Sequence, residues 1–362
     1  MRWLLKLPVG VLLLALGTRA LAQTPIPLTI SGKEAKGSFY LPGGIEGDLS
    51  ISFEEVLGLN EDALDASARL VDPLDSVILS RLPGQNVSVP EAFPVVIRIE
   101  PTSSSALTFT GVVAISLHTH NLVLVSDSPL ALYSGPADGP LRDITRFVGV
   151  GSYRAGGSTG GFSEFMIVAD ARPLHTVIAE KFEILEASLN DDLDRTNEEL
   201  AVVPFGNSRK RLRAHHRVDT VNEARRRLSQ ARTLYGTGST VSATAEVTSL
   251  LDYVKLKSGD AISDVWRASD GRPNIAGLRR AAADTLRFSL VKAALPGAQP
   301  PPSSDPPPQS DPPPQSDPQP PSDPPPPDLP PPSDPPQSDP PPQSDPQPPS
   351  DPPPPDPPPP GS

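Results

Sequence analysis

The chain has 362 residues, no cysteine, 51 prolines and a formal net charge of −12. Lack of cysteine excludes a disulfide-stapled miniature fold, thiolate catalysis, cysteine-ligated zinc and a lipidated N-terminal cysteine, so stability must come from buried apolar area. The charge is uneven: ten Asp and no Lys or Arg lie from residue 297 onward, and three positive charges lie in the first 22 residues, which leaves the rest only mildly acidic.

Residues 1–22 have the form of a secretory signal. Arg2 and Lys6 supply a positive start, "LPVGVLLLALG" (7–17) an apolar centre, and Ala20–Ala22 the small-x-small spacing that signal peptidase accepts. The apolar run is too short for a bilayer, which needs about 20 residues. The expectation is cleavage before Gln23 and an exported product, periplasmic or extracellular, with no transmembrane segment.

Residues 23–171 are predicted to be all-β. Short runs of Val, Ile, Leu, Thr and Phe recur between turn residues, among them "DLSISF" (48–53), "SVILSRL" (76–82), "FPVVIRIE" (93–100), "LTFTGVVAISL" (107–117), "NLVLVS" (121–126), "ITRFVGVGSY" (144–153) and "FSEFMIVAD" (162–170). Leu49, Ile51 and Phe53 alternate with Asp48, Ser50 and Ser52, the period-two signature of half-buried antiparallel strands. "EEVLGLNEDAL" (54–64) is compatible with a helical turn. The lack of helical crossovers argues against a parallel α/β fold and for an antiparallel β-sandwich, Ig-like or jelly-roll-like.

From Pro173 the period becomes helical. Val177, Ile178, Phe182, Leu185 and Leu189 form one apolar stripe, and Val221, Ala224, Leu228, Ala231 and Tyr235 a second. Val247, Leu250, Leu251 and Val254 form a third. Asn274 is placed to cap a last helix that buries Ile275, Leu278, Ala282, Leu286 and Leu290. Residues 172–296 are thus expected to form a small helical bundle, giving an α+β multidomain protein. Residues 297–362 are a low-complexity tail in which "SDPPPQSDPQPPSDPPPPD" occurs twice, from Ser310 and from Ser338. With little to bury and few backbone donors, it should be disordered and rich in polyproline II.

Three features bear on chemistry. His118 and His120 are two apart in a strand, so both point to one face and could supply two metal ligands; without a third ligand at a diagnostic spacing, the pair reads first as a solvated sheet face beside a turn at Asn121. "GGSTG" (156–160) matches the G-x-S-x-G elbow around Ser158, but a strand-like run follows where the elbow needs a helix, which favours a Gly-rich hairpin loop. Arg209, Lys210, Arg211, Arg213 and Arg217 cluster beside His215 and His216, with Arg225, Arg226, Arg227 and Arg232 further on. This basic stretch would attract an anionic partner: an acidic polysaccharide, lipid phosphate or the chain's own tail. Export and the lack of interleaved aromatics argue against nucleic acid.

"RRRLSQARTLYGTGSTVSATAEVTSLLDYVKLKSGDAI" (225–262) resembles the FIMAH-type helical module of exported bacterial surface enzymes and adhesins, through Leu228, Ala231, Gly236, Ala245, Leu250, Val254, Ser258, Gly259 and Ile262. The resemblance implies a helix hairpin followed by a return helix, and an aid to surface or carbohydrate association. The sequence departs from it at Leu251–Asp252, where an aromatic is usual, and in the extra "DVWRASDGRP" that follows. The whole chain also resembles an exported bacterial family without an assigned function. Taken together, the residues point to a non-catalytic exported protein without a cofactor. It would bind an envelope polymer or a protein partner through the β domain, with the tail acting as a spacer or as a ligand for a partner groove. The alternatives are a secreted polysaccharide hydrolase, which needs paired carboxylates such as those among Glu54, Glu55, Glu61, Asp62 and Asp65, and a metal-binding protein built on His118 and His120.

Overall fold

The computed structural model describes residues 23–124, 128–149, 151–204, 206–269 and 273–295. The expected signal and Pro-rich tail lie outside them. The chain runs through strands β1 (Thr24–Pro25), β2 (Thr29–Ser31), β3 (Glu34–Leu41), β4 (Ile45–Leu57) and β5 (Leu64–Leu70), then helix α1 (Ser76–Arg81). Strands β6 (Val87–Ser88), β7 (Val95–Pro101), β8 (Thr108–Leu124), β9 (Leu130–Gly135), β10 (Arg142–Asp143), β11 (Thr145–Gly149), β12 (Gly151–Thr159) and β13 (Glu164–Asp170) follow. Four helices complete it: α2 (Leu174–Val202), α3 (Ser208–Gly236), α4 (Thr240–Lys257) and, after the short strand β14 (Trp266–Arg267), α5 (Ile275–Ala293).

The strands form two antiparallel sheets. One has the order β1-β5-β7-β13-β9-β10 with β6 on β13, and the other has β11-β12-β8-β4-β3-β2 with β14 on β8. Alternation sets the register of the second sheet: Leu49, Ile51 and Phe53 of β4 pair with Leu117, Ile115 and Val113 of β8, and all six are buried. They meet Ile97, Ile99, Phe165 and Ile167 of the first sheet in one shared core. A second apolar cluster covers the other face of that first sheet, where Ile78 and Leu82 pack with Val96, Tyr133, Met166 and Val168. Strands β7 and β13 are therefore covered on both faces, which explains their unbroken apolar runs.

Four local expectations are corrected. The "SVILSRL" run is helical at Ser76–Arg81, because Asp75 Oδ1 accepts from the Val77 amide at 2.8 Å and caps a turn that buries Ile78. Glu54–Leu57 extends β4 and is not a helical turn. Asn121 lies inside β8, which continues through an irregularity against β12. Its side chain accepts from the Glu46 amide at 3.0 Å and donates to the Gly44 carbonyl at 3.1 Å. "GGSTG" is the end of strand β12, and its glycines serve close packing. A Cβ at position 156 would overlap the Phe147 ring, and one at position 160 would overlap the Leu278 backbone at the start of α5.

The helical stripes pack as their period requires. Ile178, Phe182, Leu185, Val221, Leu228, Val247, Leu250, Leu286 and Leu290 share one core. Helix α5 packs on β8, β11 and β12 as well as on α2 and α4. Asn274, fully buried, accepts from the Gly277 amide at 2.7 Å and donates to the Gly111 carbonyl of β8 at 2.8 Å. Being covered on two sides, α5 buries Ala276, Arg279, Ala283, Leu286 and Leu290, whereas Leu278 is 42% exposed. The expected register of its first half is thus off by one residue.

Candidate functional site

Strands give way to helices between Asp170 and Leu174, and a row of buried charged side chains lies along the seam between them. Arg172 holds the turn. Its Nε and Nη2 donate to the two Asp170 oxygens at 2.9 and 2.8 Å, Nη1 donates to Glu180 at 2.6 Å, and Nη2 also reaches the Tyr133 hydroxyl at 3.0 Å. Burial alone would raise the Asp170 carboxyl, but bonds from Arg172 and Tyr133 hold it below the usual carboxylate range. Burial pushes the Tyr133 phenol well up, with Asp143 and Asp170 adding to it, so it remains a neutral donor to Asp170.

Further along α2, Lys181 sits in the apolar stripe between Ile178 and Phe182. Its Nζ lies 2.7 Å from Asp143 Oδ2 of β10 and donates to Ser289 Oγ at 2.8 Å and the Thr285 carbonyl at 3.2 Å, both on α5. All three ammonium donors are used. Two cavities meet at Asp143: one of about 420 Å³ towards Asp170 and Phe288, and one of about 480 Å³ that runs between α2, α5 and the ends of β9 and β12. The larger is lined by Ser158, Lys181, Asp192, Arg195 and Arg279.

Arg279 differs from Lys181. Its side chain is 1% exposed and its Nη2 lies 2.7 Å from Asp192 Oδ2. That contact is off the N–H axis, so Nε, Nη1 and Nη2 have no hydrogen-bond acceptor among the described residues. Ser158 Oγ, in the same cavity, is buried and also without a partner. Among the described residues no imidazole or carboxylate is hydrogen-bonded to it, so the elbow reading finds no base in contact with the hydroxyl.

The other features from the sequence lie elsewhere. The His118 and His120 rings are edge-on at 4.8 Å on the outer face of β8, and His118 Nδ1 lies 3.1 Å from Asp48 Oδ2. Among the described residues no three His, Asp or Glu side chains are grouped as metal ligands. The Asp48 carboxyl is held below its ordinary range by bonds from Ser38 and His118. Glu54 pairs with Arg280 at 2.8 Å and Lys255 at 3.6 Å, and Glu55 with Lys33 at 2.8 Å, so these acids tie elements together.

The basic stretch opens α3, where Asn207 caps the helix through the Lys210 amide. Its five residues divide into two groups. Arg211 donates to the Val203 carbonyl at 3.2 Å and Arg217 to Glu199 at 3.0 Å, both fastening α3 to the end of α2. Arg209, Lys210 and Arg213 are exposed and pair with no acid among the described residues. Lower on α3, Arg226 and Arg227 pair with Glu223, whose carboxyl the Arg226 bond lowers to about 2. No helix among the described residues is long and apolar enough to cross a membrane.

A model of a family of unknown function, DUF6689, matches residues 10–294. The chain belongs to that family. The match takes in both sheets and all four long helices and stops short of the Pro-rich tail. No curated protein matches the chain.

Sequence reasoning missed the seam because its charged members read as polar positions. Lys181 interrupts the Val177–Leu189 stripe at i+3 from Ile178, and Arg279 falls between Ile275 and Ala282. A cation inside an otherwise apolar stripe was the available signal.

Proposed function

We propose that the protein is an exported, non-catalytic binding protein that engages an anionic envelope polymer through the tip formed by the end of α2 and the start of α3. The supporting observation is the division of the basic stretch. Arg211 and Arg217 brace the two helices, which leaves Arg209, Lys210 and Arg213 exposed on a fixed scaffold. Residues 209 and 213 share one face of α3, so their charges add over one turn. In this reading the strands and helices form a sandwich with a docked bundle, 23–171 and 172–296, and the acidic tail, 297–362, is a spacer or a ligand for a partner groove. Removal of residues 1–22 in a secreting host, read by N-terminal sequencing, would support the export part.

The test is retention of the mature protein on immobilised dextran sulfate. Arg209→Glu, Lys210→Glu and Arg213→Glu together should move elution to clearly lower salt with an unchanged melting temperature, since these side chains are exposed. Equal elution would eliminate the reading.

A further inference from the structure

The two buried cations of the seam are used in opposite ways. Lys181 spends all three donors on Asp143, Ser289 and Thr285. Arg279 is as deeply buried yet donates no aligned hydrogen bond to any described residue. A buried guanidinium whose donors are idle is costly unless something accepts from it. The guanidinium and the equally buried Ser158 hydroxyl, without a partner among the described residues, line the same cavity of about 480 Å³. That volume falls within the range of small-ligand sites, roughly 300–1,000 Å³. Arg142 and Arg195 lie at the same cavity on exposed positions, so cations ring it despite Asp143, Asp191 and Asp192.

We infer that this cavity is a binding site for a small hydroxylated oxyanion, of the sugar-acid or sugar-phosphate class, whose charged oxygens accept from Arg279 and one of whose oxygens meets Ser158. The planar fork of Arg279 suits two oxygens of a carboxylate or phosphate, and Asp192, 2.7 Å from Nη2 and in the same lining, balances part of its charge. Lys181, saturated, is part of the wall. The site is independent of the basic tip on α3, and either can fail without the other.

The test is calorimetric titration of the full mature chain with three probes: glucuronate, glucose 6-phosphate and uncharged glucose. One or both acids should bind and glucose should not, which separates the carboxylate from the phosphate source. No binding tighter than about 1 mM to either acid overturns the inference, as does equal binding of glucose. Arg279→Gln should weaken the bound acid by about 10–100-fold, the effect of losing hydrogen bonds to a charged group. Should that variant not fold, Arg279→Lys keeps a cation beside Asp192 but lacks the fork; it should lose acid affinity, and undiminished affinity overturns the site. Ser158→Ala should fold and bind the acid several-fold more weakly; unchanged affinity in both Ser158→Ala and the folded Arg279 variant leaves the inference dead.

Discussion

Lys181 of α2 and Asp143 of β10 lie 2.7 Å apart with side chains only 6% and 11% exposed, an ion pair that ties the helices to the edge of a sheet. Breaking such a pair from one side strands a charge in the interior. Lys181→Met or Asp143→Leu alone should lower the free energy of unfolding by about 3–5 kcal/mol. Together they should cost far less than the sum, because no charge is left unpaired. Urea denaturation of the two singles and the double measures this. Single losses under about 1 kcal/mol, the size typical of an exposed pair, would show that the seam is hydrated.

Gly277 should be a position where alanine harms a helix. In an ordinary helix the change gains about 1 kcal/mol. Here a Cβ would overlap the Gly111 carbonyl oxygen and the Asn274 amide. Gly277→Ala should therefore destabilise by about 1–3 kcal/mol. Gly236→Ala, at the last residue of α3 with no atom within 4 Å of the added carbon, should be neutral or stabilising. Thermal unfolding of both variants decides it: a stabilised Gly277→Ala would refute the docking of α5 on β8.

Asp170 should govern part of the acid limb of stability. Its folded-state value is held below the ordinary 3.8 by Arg172 and Tyr133 against the opposing effect of burial. An acid lowered on folding contributes stability that is complete above the unfolded value and is lost as pH falls through 3.8 and below. Asp170→Asn should reduce stability at neutral pH, and its gap to the parent should shrink as pH drops below 3.8. A gap that is constant down to acid unfolding would remove Asp170 from this role.

Much of the fold was legible because burial followed period. The apolar residues expected in the stripes of α2 and α3, from Val177 to Leu189 and from Val221 to Tyr235, are all buried, and within those spans the buried residue left out was Lys181. The first half of α5 was less legible, because a helix covered on two sides has no single stripe. There Arg279 is buried and Leu278 is 42% exposed. The "GGSTG" glycines were misread for a related reason. Their cause is the approach of Phe147 and of α5, partners remote in sequence or invisible to a local pattern. The basic residues were found, but their division into braces and exposed charges depends on Val203 and Glu199 across a helix hairpin. The seam charges were hidden because hydropathy scores a paired, buried cation as a surface one.

The bond from Asn274 to the Gly111 carbonyl spans 163 positions of the chain. During synthesis β8 emerges long before the helix that covers it, so the growing polypeptide carries an unfinished sheet until α5 arrives. Closing the chain over so large a separation carries an entropic cost that is met only when α5 docks. Chains ending before residue 275 should collect as aggregates, and a holding chaperone should matter most in that interval.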